Sequence, residues 1–160
     1  MPIVRRVPDS LMIVAQVGFS VVGAWLTHID IREHRLPNRI LAPTTACLLL
    51  LCGASTAFGG SAEALVRAIA GAAILGSAYL ALWAGSRGGL GGGDVKLAVP
   101  IGILLAWDGW LALVAGSALA FVVGGAWAIG VLATGRGTRD SRIPFGPCMV
   151  LGCLLGLCLT

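Results

Sequence analysis

The sequence predicts an all-α, polytopic membrane protein with about six transmembrane helices. Three observations carry that expectation. Of 160 residues, 58% are hydrophobic, and a further 24 are Gly. Only 11% are charged, against about 25% in ordinary soluble domains. Five stretches without Asp, Glu, Lys or Arg are each close to the roughly 17–25 residues that a span requires. So few polar residues cannot cover the surface of a soluble globule. The composition therefore argues against a soluble enzyme, a disordered region and a nucleic-acid binder.

The spans are expected in order. The first is 11–29, preceded by Arg5 and Arg6. A basic start before an apolar run resembles a signal sequence. The run ends in Trp25-Leu26-Thr27-His28 with no small-x-small site, so a retained helix is expected. The second and third are 40–58 and 68–86. The fourth, 95–106, is short and has Lys96 at its start, where the side chain can snorkel to the interface. Trp107-Asp108-Gly109-Trp110 then reads as a tight turn with interfacial Trp on both sides. The fifth and sixth are 111–133 and 143–160. Residues 1–160 form one integral-membrane domain, with no linker and no internal repeat.

Orientation follows from the basic residues. Arg32, Arg35, Arg39, Arg87, Lys96, Arg136, Arg139 and Arg142 fall in the first, third and fifth loops. Arg5, Arg6 and Arg67 fall on the other side. The first set predicts cytoplasmic loops, with both termini outside. The net charge of +4 is thus mainly a topology signal rather than a nucleic-acid or lipid patch.

Several features have ordinary explanations. Cys47, Cys52, Cys148, Cys153 and Cys158 contain no C-x-x-C. They read as small apolar packing residues rather than a metal site. Gly152-x-x-x-Gly156 fits close helix packing. His28 and His34 flank the end of the first span and read as interfacial. The Gly-rich stretch 85–93 matches neither a P-loop nor a dinucleotide fingerprint. It is either a flexible loop or a bare backbone that another peptide can approach closely.

Only seven acids need consideration. Asp9, Glu63, Asp108 and Asp140 fall in termini or loops, and Glu33 sits among arginines. Asp30 ends the first span and Asp94 opens the fourth, both at the predicted cytoplasmic face. Carboxylates at a membrane boundary are functional candidates. Two that converge make an acid–base pair. Each also has a structural reading. Asp94 can N-cap the helix 95–106, and Asp30 can pair with Arg32 or Arg35.

These residues sit in motifs. Asp30-Ile31-Arg32-Glu33-His34-Arg35-Leu36-Pro37-Asn38 resembles the D-x(6)-P-[ND] segment of type IV prepilin peptidases. Gly91-Gly92-Gly93-Asp94-Val95-Lys96-Leu97 resembles their G-x-G-D-x-K-[LM] segment. Ile143-Pro144-Phe145-Gly146-Pro147 resembles their P-F-G-P stretch. The three occur in the family's order, and the resemblance covers nearly the whole chain from Asp30 on.

The resemblance implies an intramembrane aspartic endopeptidase of the bacterial inner membrane. Such enzymes cut the basic leader from type IV prepilins or pseudopilins, next to a glycine, at the cytoplasmic face. It implies Asp30 and Asp94 as catalytic residues, with Gly91 and Gly93 in the signature. Pro37, Asn38, Lys96, Pro144 and Gly146 are implied to shape the site. Longer members carry a cytoplasmic domain with paired C-x-x-C motifs, and many methylate the new N-terminus. This sequence has no C-x-x-C, so no zinc site, metal or other cofactor is expected, and methyl transfer is in question. The short form resembles the tight-adherence (Flp) peptidases, and archaeal preflagellin peptidases are also short. The presenilin group shares G-x-G-D, but its first aspartate follows Tyr, whereas Asp30 follows Ile29, and its P-A-L motif is missing.

The expected partners are the prepilin and the lipid bilayer, with no nucleic acid. The sequence does not define an oligomeric state. The two carboxylates are expected to share a proton. Helix ends favour charge on Asp94 and disfavour it on Asp30, making Asp94 the base and Asp30 the acid. Rival readings are a small transporter or channel, or a non-catalytic subunit of a secretion machine. A carrier usually holds ionisable groups near mid-membrane. Here the span centres carry none.

Overall fold

A computed structural model of the protein describes residues 2–33, 37–86, 90–134 and 145–159. They form six α-helices: α1 (Pro2–Glu33), α2 (Asn38–Ala57), α3 (Ala62–Gly85), α4 (Gly92–Asp108), α5 (Trp110–Ala133) and α6 (Gly146–Cys158). There is no strand among the described residues. Four helices contain stretches long and apolar enough to cross a bilayer: Val7–Arg32, Asn38–Ala57, Ala62–Gly85 and Trp110–Ala133. With 17 residues α4 spans about 26 Å, and with 13 residues α6 spans about 20 Å, at 1.5 Å per residue. Both fall short of the roughly 30 Å hydrocarbon core.

Burial assigns each helix its place. From Leu97 to Ala106 every residue of α4 except Val99 is buried. A helix that is apolar all round belongs in the middle of a bundle, and α4 packs against α2, α3, α5 and α6. Pro100 lies inside α4 without ending it. The outer helices expose large apolar side chains, among them Val21, Trp25, Leu50, Val66, Val114 and Ile129. So much exposed apolar surface suits lipid and not water.

Small residues set the closest approaches. A Cβ on Gly71 of α3 would collide with Ala106 Cβ and come 2.6 Å from the Gly102 carbonyl. A Cβ on Gly102 would lie 2.5 Å from the Gly71 carbonyl. The α3 and α4 backbones therefore touch directly, as small residues permit in membrane bundles. Gly152 and Gly156 do the same for α6 on α5. Their Cβ atoms would meet Ala120 N at 2.5 Å and Gly116 Cα at 2.6 Å. The sequence motif thus serves contact within the chain.

Polar bonds tie the two ends of the bundle. At one end Arg67 of α3 donates to the Ala106 and Trp107 carbonyls, both at 2.6 Å, meeting the unsatisfied C-terminal carbonyls of α4. Gln16 donates to Asp108 at 3.0 Å, and Ser55 to the Pro8 carbonyl at 3.3 Å. Asp108 is thus the last residue of α4, held by α1, and not a free loop acid. Gly109 alone separates α4 from α5. An open cavity of about 330 Å³ lies at this end, lined in part by Asp9, Gln16, Ser55 and Asp108. The opposite end holds Asp30, Asn38, Asp94 and Gly146.

Three of the five cysteines pack in the interior as expected, and two do not. Cys52, Cys148 and Cys153 are buried, while Cys47 and Cys158 are exposed. Among the described residues no group of His, Cys, Asp and Glu is placed to hold a metal ion. His28 is exposed near the end of α1. His34, Arg35, Arg87, Arg136, Arg139, Arg142, Asp140 and Pro144 lie outside the described residues.

Gly102→Ala should destabilise the bundle by about 1–3 kcal/mol, because an overpacked backbone contact must open. Gly18→Ala, where nothing lies within 4 Å of the new Cβ, should be neutral or slightly stabilising. Thermal loss of the monodisperse peak in detergent compares the two.

Candidate active site

The site is built from three helix ends. Asp30 lies in the last turn of helix α1, near the end of its apolar stretch Val7–Arg32, and is 6% exposed. Helix α4 begins at Gly92 with Gly91 as its N-cap, which places Asp94 as the third helical residue, also 6% exposed. Helix α6 begins at Gly146 after Phe145. These are the buried acids among the described residues.

Each carboxylate takes a backbone N–H from a helix start. The Gly91 N–H donates to Asp94 Oδ2 at 3.1 Å, while the Asp94 N–H donates to the Gly91 carbonyl at 3.1 Å. This is the carboxylate half of a capping box. The cap is therefore Gly91 and not Asp94. Because the helix starts earlier than 95, the acid sits one turn in and folds back. A side chain on Gly91 would put its Cβ 3.1 Å from Asp94 Oδ2. Gly93 is the half-buried residue between.

Asp30 is held across 116 positions of sequence. The Gly146 N–H donates to Asp30 Oδ2 at 3.2 Å. A Cβ on Gly146 would lie 2.7 Å from that oxygen, so glycine here permits the approach. The α6 N-terminus thus points at Asp30, and a helix N-terminus favours negative charge. The expectation that a helix C-terminus disfavours charge on Asp30 counted only its own helix. The start of α6 offsets it.

The two acids belong to one site. Asp94 lies before the apolar run of α4, outside the stretches long enough to span. Its carboxyl is raised from 3.8 to about 6, first by burial and then by the charge of Asp30, against the lowering effect of the Gly91 N–H. Cys148, two residues into α6, lies within electrostatic reach of both.

The remaining motif residues frame the pair. Pro37 is the N-cap of α2, and its carbonyl accepts the Ile40 and Leu41 N–H groups at 3.1 and 3.3 Å. Asn38 follows as the first helical residue. Its Oδ1 accepts from Lys96 Nζ at 2.8 Å. Lys96 is two residues past Asp94, so this exposed bond ties the start of α2 to the start of α4. Lys96, expected from sequence to snorkel to the interface, has this partner in the structure. Sequence reasoning missed the aromatic cluster of Tyr79, Phe121 and Phe145, with ring centroids 5.5–6.3 Å apart. Tyr79 has no motif around it, and only the burial of a polar aromatic near Asp94 singles it out.

A helical membrane bundle with a buried carboxylate pair at one end is the class that fold and site define. The type IV leader peptidase family matches residues 17–129, a stretch that includes both acids. The chain is 34% identical over 130 residues to the prepilin leader peptidase/N-methyltransferase of Aeromonas salmonicida (strain A449), covering 79% of this chain and 42% of that protein. It is 34% identical over 150 residues to the protein of that name from Burkholderia pseudomallei (strain 1026b), covering 86% and 44%. For the one from Bacillus subtilis (strain 168) the figures are 32% over 130 residues, 79% and 48%. The chain thus spans less than half the length of these curated relatives. No solved structure matches it. The chain belongs to the type IV leader peptidase family and is a membrane protein.

The raised Asp94 value has a consequence for stability. Folded Asp94 holds its proton to about pH 6, whereas unfolded it would lose it near 3.8. Stability therefore falls as pH rises between those values and is flat above. Asp94→Asn keeps an acceptor for Gly91 and removes the charge. It should be more stable than wild type at pH 7.5, by up to roughly 3 kcal/mol, with the two converging near pH 4. Melting curves at both pH values check this.

Proposed function

We propose that the chain is an intramembrane aspartic endopeptidase of the bacterial inner membrane, cutting the leader from type IV (Flp-like) prepilins or pseudopilins at the cytoplasmic face. The observation that carries this is the buried pair Asp30 and Asp94, each braced by a helix-start N–H at the same end of the bundle. Family membership and the relatives' names support the substrate class.

Orientation rests on charge. Arg32, Arg39 and Lys96 are exposed at the end that holds the pair, and basic residues stay cytoplasmic. At the other end Arg67 is engaged with the α4 carbonyls. The scissile bond of a helical substrate would reach the pair beside the exposed Gly91 and Gly92, where no side chain obstructs it.

Two adjacent carboxylates in a buried site share one proton. Burial favours the proton on Asp94, while the α6 N-terminus favours charge on Asp30. In the resting pair Asp94 is therefore the acid and Asp30 the base. This reverses the assignment from helix ends alone. Asp30 takes a proton from water as the oxygen attacks the scissile carbonyl. Asp94 gives its proton to the departing amine as the C–N bond breaks. The proton taken from water stays on the pair, and its return from Asp30 to Asp94 as the products leave restores the starting state. Gly91 and Gly93 shape the approach to Asp94, and Gly146 holds Asp30. Pro37, Asn38 and Lys96 fix the neighbouring helix starts, and Pro144 belongs to the segment that leads into α6. The pair accounts for peptide cleavage alone, not for the methyl transfer in the relatives' names.

Co-expression with type IV prepilins, read by gel shift, tests the reading. Asp30→Asn and Asp94→Asn should each abolish cleavage in folded protein. Retained activity in either removes the mechanism. Gly146→Ala, whose Cβ crowds Asp30 Oδ2, should lower kcat by about 10²-fold. With purified protein, kcat/KM should fall on the alkaline side as pH rises through the Asp94 value of about 6.

A further inference from the structure

The aromatic cluster stands between two tightly packed helix pairs. Helix α3 lies on α4, which carries Asp94. Helix α5 lies on α6, whose first N–H holds Asp30. Tyr79 is 2% exposed on α3. Its ring stacks on Phe121 of α5 with centroids 5.8 Å apart and planes at 27°. It meets Phe145 at 6.3 Å, and Phe121 meets Phe145 at 5.5 Å. Gly124 leaves the space for Phe145, since a Cβ there would come 2.5 Å from the Phe145 ring.

Phe145 is the N-cap of α6, adjacent to the Gly146 whose N–H reaches Asp30. The Phe145 ring and the Gly146 donor thus stand on one backbone junction. On its other side, Tyr79 lies within electrostatic reach of Asp94 and Cys148. One side chain on the α3–α4 pair thus abuts both the support of Asp30 and the neighbourhood of Asp94.

We infer that Tyr79 is a positioning residue whose ring, wedged against Phe121 and Phe145, sets the distance between the Asp94-bearing and Asp30-holding helix pairs. It acts through geometry and not by touching the reacting atoms. The ring is the working part, so Phe should replace it and Ala should not. The inference rests on the two-aspartate reading of the site.

The test uses the full chain in detergent and a co-expressed type IV prepilin that wild type cuts, with Asp30→Asn and Asp94→Asn as controls. In folded, monodisperse Tyr79→Ala, kcat should fall by about 10²-fold, with KM within about twofold of wild type. The alkaline limb of its pH profile should move to lower pH as the two charges separate. Tyr79→Phe should restore both. A wild-type kcat and pH limb in Tyr79→Ala would overturn the inference, as would a Tyr79→Phe as impaired as the Ala variant. Activity in the Asn controls would instead sink the aspartate reading.

A readout without catalysis keeps the two apart. The Cys148 thiol is buried beside the same cluster. Its labelling by N-ethylmaleimide, followed by mass spectrometry of the peptide that holds it, should be severalfold faster in Tyr79→Ala and unchanged in Tyr79→Phe. Equal rates in wild type and Tyr79→Ala count against the wedge whatever the activity shows.

Discussion

A carboxylate removed from water carries a penalty of several kcal/mol unless something replaces the water. Here two are removed together, and each raises the cost of ionising the other. The replacement is backbone. The start of α4 supplies one N–H to Asp94, and the start of α6 supplies one to Asp30. Both donors sit at positive helix ends. Much of the architecture around the pair follows from delivering those two donors to one place.

That requirement explains why the glycines fall where they do. Gly91 and Gly146 are bare because a Cβ at either would press on the carboxylate oxygen that their N–H groups serve. Gly71 and Gly102 are bare because a Cβ at either would strike the facing backbone where α3 and α4 touch. Gly116, Gly152 and Gly156 do the same for α6, a helix too short to be anchored by length. Bonds at the opposite end hold the register. Arg67 clamps the last carbonyls of α4, which opposes sliding of α4 along its axis.

The sequence disclosed much of this because membrane folding leaves coarse marks. Uncharged runs mark helices, and scarcity of acids leaves few candidates for a site. Asp30 and Asp94 stood out for that reason, and the motifs around them placed Gly91, Lys96 and Gly146 nearby. Helix starts were less legible. Asp94 reads as a cap when the helix is taken to begin where the apolar run begins, but Gly92 and Gly93 are already helical. Contacts between distant segments left no mark at all. Nothing in the local sequence says that Gly146 serves Asp30, that Lys96 meets Asn38 or that Tyr79 meets Phe145. Those are products of packing.

The electrostatic asymmetry of the pair shows what such missing contacts do to an argument. Judged by its own helix, Asp30 sits at a negative end and should hold the proton. Judged by its surroundings, it also sits at the positive end of α6, and that contribution runs the other way. Asp94 keeps the favourable start of its own helix, yet its neighbour's charge and its burial outweigh the single Gly91 N–H. On the proposed reading, the resting proton then belongs to the acid that its own helix end alone would make the base. A titratable group answers to every dipole within reach, and sequence reveals only those on its own element.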